Sequence, residues 1–266
     1  MGSLAGKTAL VTGASNGIGR GIAVRLGRDG ALVGIHYGSS EARAKETLDL
    51  IEAEGGRGFL VQADLGVPGD GAQLMENFDA ALAAAGGEPG LDILCNNAGY
   101  TALSYVESID SDTFDKLFNV NVKAPVFITQ AALPRLRDNG RIIFTASCTT
   151  RIASPSVLGV GITKGAINTL VLTLAQHLGP RGIRVNGVAP GFTMTGATAK
   201  LFTVEKVRQW ASDFSVFKRL GDPSDIADIV GFLASDEARW VSGQVIDASG
   251  GSWLGVPGFS LVGEEH

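Results

Sequence analysis

The segment Gly13-Ala14-Ser15-Asn16-Gly17-Ile18-Gly19 has the residue types to hold a phosphate. It follows a β-branched run, "TALVTG", and opens a helix-forming stretch. Glycines there let the backbone turn tightly, and the unpaired N–H groups of a helix N-terminus can face an anion. The chemistry is capture of a dinucleotide pyrophosphate, with a purely structural turn as the competing reading. The spacing is G-x-x-x-G-x-G, not the general G-x-G-x-x-G fingerprint. The end of the second apolar run reads His36-Tyr37-Gly38-Ser39-Ser40, with no acid before Glu41. A carboxylate at that point would hold the ribose hydroxyls of NAD and repel a 2′-phosphate. Its absence favours NADPH over NADH. Tyr37, Ser39, Ser40 and Asn16 are neutral donors there, and Arg20 lies one turn into the helix.

The elements that must position these residues are short apolar runs separated by helix-length segments. Strands are expected at 8–13, 31–37, 58–64, 91–99, 141–147, 183–191 and 244–251. Several are apolar on both alternations, as parallel strands covered on both faces are. Strand and helix alternate about six times, which implies an α/β, Rossmann-type doubly wound, mostly parallel seven-stranded sheet with helices on both faces. Right-handed crossovers put the strand carboxyl ends, and a ligand, on one edge. The 266 residues suit a single domain, 1–266, in which 192–220 reads as a helical insertion or lid over that edge. Its Phe192, Phe202, Trp210, Phe214 and Phe217 suit a bulky or aromatic small-molecule ligand, although such residues also form ordinary packing faces. The tail 252–266 either packs on a neighbouring subunit or the pocket, or is partly ordered.

A net charge of −5 without a Lys/Arg stripe argues against nucleic acid as a partner. No apolar run approaches the roughly 18 residues of a membrane helix, and no signal-peptide pattern opens the chain, so a cytoplasmic, membrane-free protein is expected. Cys95 and Cys148 sit in strand-like contexts and read as buried thiols. Charged residues make up only 18% of the chain, which hints at surface covered in an oligomer. No metal is expected.

The loop at 13–19, "NNAG" at 96–99, "NVNVKAP" at 119–125, "IIFTAS" ending at Ser147, Lys164 and "VNGVAPGFTMT" at 185–195 fall in one order. In that order the chain resembles the short-chain dehydrogenase/reductase family, from about residue 6 to residue 252. Within the family it is most similar to the acyl-carrier-protein-reductase-like branch. The resemblance implies a Rossmann-type fold binding NAD or NADP, in a homotetramer or homodimer. It places the loop residues Gly13, Ser15, Asn16, Gly17, Ile18 and Gly19 on the pyrophosphate side. Asp64 and Leu65 fall at the adenine, and Asn97, Ala98 and Gly99 at the adenosine ribose. Pro190, Gly191, Thr193 and Thr195 fall at the nicotinamide carboxamide. Each has a bland rival: Asp64 as a helix cap, Pro190-Gly191 as a turn.

The family's usual site joins Ser, Tyr, Lys and Asn. Ser147, Lys164 and Asn121 match three of these, with Lys164 also binding the nicotinamide ribose and Asn121 positioning a water. The tyrosine should stand four residues before the lysine and thirteen after the serine, and both counts select Val160. The chain's three tyrosines, Tyr37, Tyr100 and Tyr105, all lie far upstream. Valine has no proton to give, and losing a positioned acid costs about 10²–10⁴-fold in rate. Surrogate acids are Tyr100, placed first, then Cys148, Thr149 and Thr150. Val160, Tyr100, Cys148 and Phe192 are the expected substrate-pocket residues. Hydride transfer to an iminium, imine or hemiaminal-derived carbon develops no alkoxide, so that substrate class is the expectation from Val160. Ketone or aldehyde reduction with a surrogate acid is the alternative. Two further rivals are a dinucleotide-binding protein without turnover and a repurposed dehydratase or cyclase.

Overall fold

A computed structural model describes residues 2–196 and 198–254, Trp253 by its backbone alone. The tail beyond Leu254 lies outside the described residues. Seven strands form one parallel sheet: β1 (Thr8–Val11), β2 (Leu32–Tyr37), β3 (Arg57–Gln62), β4 (Leu91–Asn96), β5 (Leu136–Thr145), β6 (Arg184–Pro190) and β7 (Val245–Ala248). Their spatial order is β3-β2-β1-β4-β5-β6-β7, and every pairing is parallel. The order reverses between β1 and β4, so the crevice at their carboxyl ends is where a ligand can enter.

Among the described residues there are eight α-helices: α1 (Gly17–Arg28), α2 (Glu41–Ala53), α3 (Asp70–Ala84), α4 (Ser111–Phe118), α5 (Ala124–Ala132), α6 (Leu158–Leu178), α7 (Glu205–Asp213) and α8 (Pro223–Ala234). On one face Leu74, Phe78, Ile128, Ile167 and Val171, from α3, α5 and α6, pack with Leu10, Leu94 and Phe144. On the other, Ile22, Leu26, Ile51, Ile226 and Val230, from α1, α2 and α8, pack with Val11, Val33 and Ile93. Strands buried this way on both sides need apolar residues at consecutive positions, as β4 shows. Between residues 192 and 220 the chain forms a short 3₁₀ turn, Leu201–Thr203, and α7.

Two expectations change. The strands end earlier than the apolar runs suggest, because the terminal Gly13, Gly99 and Gly191 belong to the loops at the crevice. The expectation that no segment is long and apolar enough to cross a membrane is corrected by Leu158–Arg181, of mean hydropathy 1.4. The reason is that α6 lays Ile167, Val171 and Leu178 into the core while leaving Ile162 and Leu172 exposed, so it is apolar on more than one side.

His36 closes β2 against its neighbours. Its Nδ1 accepts the Gly13 N–H at 2.9 Å, and its Nε2 lies 3.1 Å from the Ala63 carbonyl oxygen. Nε2 therefore carries the proton and donates it, leaving a neutral ring that ties the phosphate loop to β3. Burial lowers its pKa to about 4, with the Ala63 hydrogen bond and the Asp64 charge pulling weakly the other way. Between the unfolded value near 6.5 and the folded value near 4, the unfolded chain binds more protons. Stability must fall as pH drops through that window, by about 2 kcal/mol from His36 alone at pH 5. Urea unfolding at pH 7.5 and pH 5 is expected to show a larger loss in the native protein than in His36→Asn. Equal losses in the two would contradict the assignment.

Candidate active site

The loop after β1 is shaped for close approach. Gly13 has a φ of +65°, and a side chain there would start 2.9 Å from the Ala98 Cα. Gly19 is tighter still: a Cβ would lie 2.2 Å from the Gly13 carbonyl oxygen and 2.4 Å from Asn97 Nδ2. The first turn of α1 carries no acidic residue, and the Asn16 side chain makes no capping hydrogen bond. Its N–H groups are thus left for an anion from outside. Arg20 is committed elsewhere, reaching the Ser15 carbonyl at 2.8 Å, Thr47 Oγ1 at 3.1 Å and Glu46 at 2.8 Å. It holds the loop to α2. Across the crevice, Tyr37 and Ser40 are half-buried and Ser39 and Asp64 exposed at the ends of β2 and β3. Tyr37 is raised in pKa, first by desolvation and then by the Glu41 charge. Leu65 follows Asp64, packed at the edge of the core.

The turn at 96–99 is clipped to β1 by Thr12. The Thr12 hydroxyl accepts the N–H groups of Asn97 and Ala98 at 2.9 and 3.0 Å. Asn97 donates Nδ2 to the carbonyls of Thr12 and Gly13 at 3.0 and 3.3 Å, and accepts Thr145 Oγ1 at 3.2 Å. Lys164 donates to the Thr145 carbonyl at 2.6 Å. One hydrogen-bonded chain therefore runs from the phosphate loop through Asn97 and Thr145 to Lys164. Desolvation lowers the Lys164 pKa to about 8, so its ammonium holds its proton at neutral pH and lets it go readily above.

Asn121 sits in a π-helical turn, Asn119–Lys123, between α4 and α5. Such turns re-aim side chains and recur at functional sites. Its carboxamide accepts the Tyr100 N–H at 2.7 Å and donates to the Tyr100 carbonyl at 2.9 Å and to Thr163 Oγ1 at 3.2 Å. A Cβ on Gly99 would lie 3.4 Å from Asn121 Oδ1 and 3.9 Å from Lys164 Nζ, so these three residues share one corner. The Tyr100 ring lies beneath Lys116, whose ammonium is 4.4 Å from the ring centre.

Ser147 ends the approach from β5 and caps a 3₁₀ turn, Cys148–Thr150. Its Oγ accepts both the Thr149 N–H at 3.2 Å and the Thr149 hydroxyl at 2.9 Å, while Thr150 Oγ1 donates to the Ser147 carbonyl at 2.9 Å. Of the four surrogates considered from sequence, Thr149 is the one whose hydroxyl donates to the serine oxygen. Cys148 is a half-buried free thiol, raised in pKa by desolvation and by Asp247. Cys95 is fully buried and pushed up to about 12 by burial. Val160 is 8% exposed in the first turn of α6, and its carbonyl accepts Thr163 Oγ1 at 2.9 Å.

After β6, whose last residue is Pro190, Gly191 passes within contact of Ser249, and Thr193 bonds back to the Gly191 carbonyl at 3.1 Å. Thr195 folds over the phosphate loop, its Cβ 3.2 Å from where a Gly17 side chain would begin. Phe192 is the hub of an aromatic cluster with Trp210, Phe214 and Phe202 at centroid separations of 5.2, 5.6 and 6.5 Å. Trp210 lies on α7 and Phe214 at its C-terminal end; Phe202 is buried, whereas Trp210 and Phe217 are exposed. Thr12 and His36 carry the loop geometry and were not singled out from sequence as holding it. The only signal is a polar residue at the carboxyl end of each of two otherwise apolar strands.

The parallel sheet, the crevice at its order reversal and the Gly-lined helix N-terminus define a dinucleotide-linked oxidoreductase fold. A family model described as enoyl-(acyl carrier protein) reductase matches residues 13–252. A versicolorin reductase of Emericella nidulans is 39% identical over 261 residues, covering 94% of this chain and 97% of its own. The solved angucycline C-6 ketoreductase LanV with bound NADP is 49% identical, with a TM-score of 0.92, covering 96% of this chain and 98% of its own. The solved reductase LugOII, which catalyses keto-reduction at C1 during lugdunomycin biosynthesis, is 47% identical with a TM-score of 0.92, covering 95% and 100%. This chain belongs to the short-chain dehydrogenase/reductase family, as an NAD(P)-dependent reductase.

Proposed function

We propose that the protein uses NADPH to reduce a ketone on a polycyclic polyketide of the angucycline kind, in the cytoplasm, with Ser147 rather than a phenol giving the proton. The observation that carries this reading is the chain of hydrogen bonds from Gly13 through Asn97 and Thr145 to Lys164, with an engaged Ser147 hydroxyl two residues beyond Thr145.

The crevice fits a dinucleotide. Gly13 and Gly19 leave room that any Cβ would fill, and the α1 N-terminus offers unpaired donors from Asn16, Gly17 and Ile18. Ser15 and these residues would hold the pyrophosphate. Tyr37, Ser39 and Ser40 would take the 2′-phosphate, since the segment His36–Ser40 carries no carboxylate of its own. Asp64 and Leu65 would border the adenine, and Asn97, Ala98 and Gly99 the adjoining ribose. Lys164 would hold the nicotinamide ribose, with Pro190, Gly191, Thr193 and Thr195 around the carboxamide. When bound, the reduced dinucleotide supplies the hydride.

At the substrate, Ser147 donates a hydrogen bond to the carbonyl oxygen and delivers the proton as the oxygen gains charge. Asn121 fixes the Tyr100 backbone at the mouth of the site, and Val160 contributes apolar wall. The segment 192–220 serves as the lid, with Phe192 and its aromatic cluster forming a stiff apolar side for a flat polycyclic ligand. The exposed Val126, Phe127, Ile162 and Leu172 on α5 and α6 support a homodimer or homotetramer.

The iminium class expected from Val160 alone is set behind ketones, because keto-reduction names both solved neighbours. A parallel panel separates the two. NADPH consumption is expected with angucycline ketones and not with cyclic iminium ions of similar size. Turnover of the iminium ions alone would return the reading to its alternative, and NADPH binding without turnover of either would make the protein a non-redox binder.

A further inference from the structure

We infer that Thr149 is a positioning and proton-feeding residue that makes Ser147 the acid of this site; the inference rests on the ketone-reductase reading. A lone serine hydroxyl is a poor acid, because the oxygen left behind is strongly basic. It becomes serviceable when hydrogen bonds to that oxygen tighten as charge appears. Ser147 has two such bonds, both from one residue. The Thr149 N–H reaches Ser147 Oγ at 3.2 Å, and the Thr149 hydroxyl reaches it at 2.9 Å. With both acceptor positions of the serine oxygen occupied, what Ser147 has left to offer is its proton.

The turn that makes this pairing is held from several directions. Ser147 caps it with extended backbone, φ −163° and ψ 150°. Thr150 Oγ1 donates to the Ser147 carbonyl at 2.9 Å, and the Arg151 N–H to the Cys148 carbonyl at 2.9 Å. The Arg151 guanidinium then reaches across to β7, donating to the Val245 carbonyl at 3.0 Å and pairing with Asp247 at 3.5 Å. The Thr149 carbonyl lies 3.7 Å from where a Gly161 Cβ would stand, next to Val160. The backbone of the Thr149 turn therefore lies against α6 at Gly161, one residue on from the valine that cannot supply a proton. Thr149 is itself half-exposed, so its own hydroxyl can recover a proton from water.

The step balances. The carbonyl carbon gains the hydride from NADPH, and the C=O π pair moves to oxygen. That oxygen takes the Ser147 proton, Ser147 Oγ takes the Thr149 hydroxyl proton, and Thr149 takes one from solvent. The net reaction is ketone, NADPH and one proton to alcohol and NADP⁺. Against its desolvation, the neighbouring Cys148 thiol is also pulled down in pKa by the Ser147 side chain, but a thiol is a weak partner that a carbonyl oxygen displaces.

The test compares native protein, Thr149→Val and Thr149→Ser on an angucycline ketone. Thr149→Val is expected to lower kcat by about 10- to 100-fold, with KM for NADPH within about two-fold and the solvent isotope effect increased. Thr149→Ser, which keeps the hydroxyl, is expected to restore kcat to within about three-fold of native. In the native protein, the rate is expected to depend on deuterium fraction along a curve, as two protons in flight require. Native kcat in Thr149→Val, or a serine variant as slow as the valine one, overturns the relay while leaving ketone reduction intact. Should Thr149→Val fail to fold, a linear deuterium-fraction plot in the native protein overturns it equally. A native protein that reduces no ketone overturns the parent reading, and the relay with it.

Discussion

Ser147→Ala is expected to lower kcat for ketone reduction by about 10²–10⁴-fold while leaving NADPH affinity unchanged. Among the hydroxyls of the 147–150 turn, that of Ser147 is the one whose oxygen accepts two hydrogen bonds from Thr149. With valine at position 160, no phenol stands one turn before Lys164 to share the task. In a site with a phenol, a serine deletion removes a helper. On the proposed reading it removes the donor, so the loss should lie toward the upper part of that range and fall on kcat rather than KM. Stability should fall by up to about 2 kcal/mol, because Thr149 loses an acceptor for its N–H and its hydroxyl, at about 1 kcal/mol each. Steady-state kinetics with a nucleotide titration separates the effects. A kcat within about three-fold of native would mean that another group delivers the proton.

Gly19→Ala is expected to weaken NADPH binding by at least about 100-fold, or roughly 2.7 kcal/mol. The added methyl would start 2.2 Å from the Gly13 carbonyl oxygen and 2.4 Å from Asn97 Nδ2. Neither neighbour is a flexible side-chain end that can swing away. Gly13 is fixed by its N–H to His36, and Asn97 is tied to Thr12, Gly13 and Thr145. Accommodating the methyl therefore moves the loop, the 96–99 turn and the bond to Thr145 that leads to Lys164. Overpacking of this kind costs about 1–3 kcal/mol in stability. A thermal melt and a fluorescence titration would report both effects. Native-like affinity in a folded Gly19→Ala protein would contradict the loop geometry.

The sheet was legible because strands buried on both faces leave apolar runs, and "LDILCN" at 91–96 is nearly pure signal. Their ends were not, since Gly13, Gly99 and Gly191 continue the runs while turning away from the sheet. β5 begins at Leu136 through the polar "RDNG", where Asn139 adopts a φ of 60°, a start no hydrophobic pattern announces. Of the candidate site, Ser147, Lys164 and Asn121 could be named from the resemblance of the motifs to the family's. The contacts that give them function could not. Thr12 meets Asn97 across 85 residues and His36 meets Gly13 across 23, and neither pairing leaves a periodic trace. The π-helical turn at Asn119–Lys123 depends on how Asn121 bonds to Tyr100, which is a tertiary matter. Sequence placed Tyr100 first among surrogate acids, whereas the hydroxyl joined to Ser147 is that of Thr149. Tyr100 instead carries Lys116 on its ring and gives its backbone to Asn121.

Ketone reduction by a site without the phenol is tested most directly by following the hydride. The native protein should be incubated with an angucycline ketone and NADPH deuterated at the transferring position of C4, and the product read by mass and NMR. One deuterium on the new carbinol carbon, with the hydroxyl proton exchanged from solvent, is the predicted result. Recovery of unchanged ketone beside bound, unoxidised NADPH would contradict it.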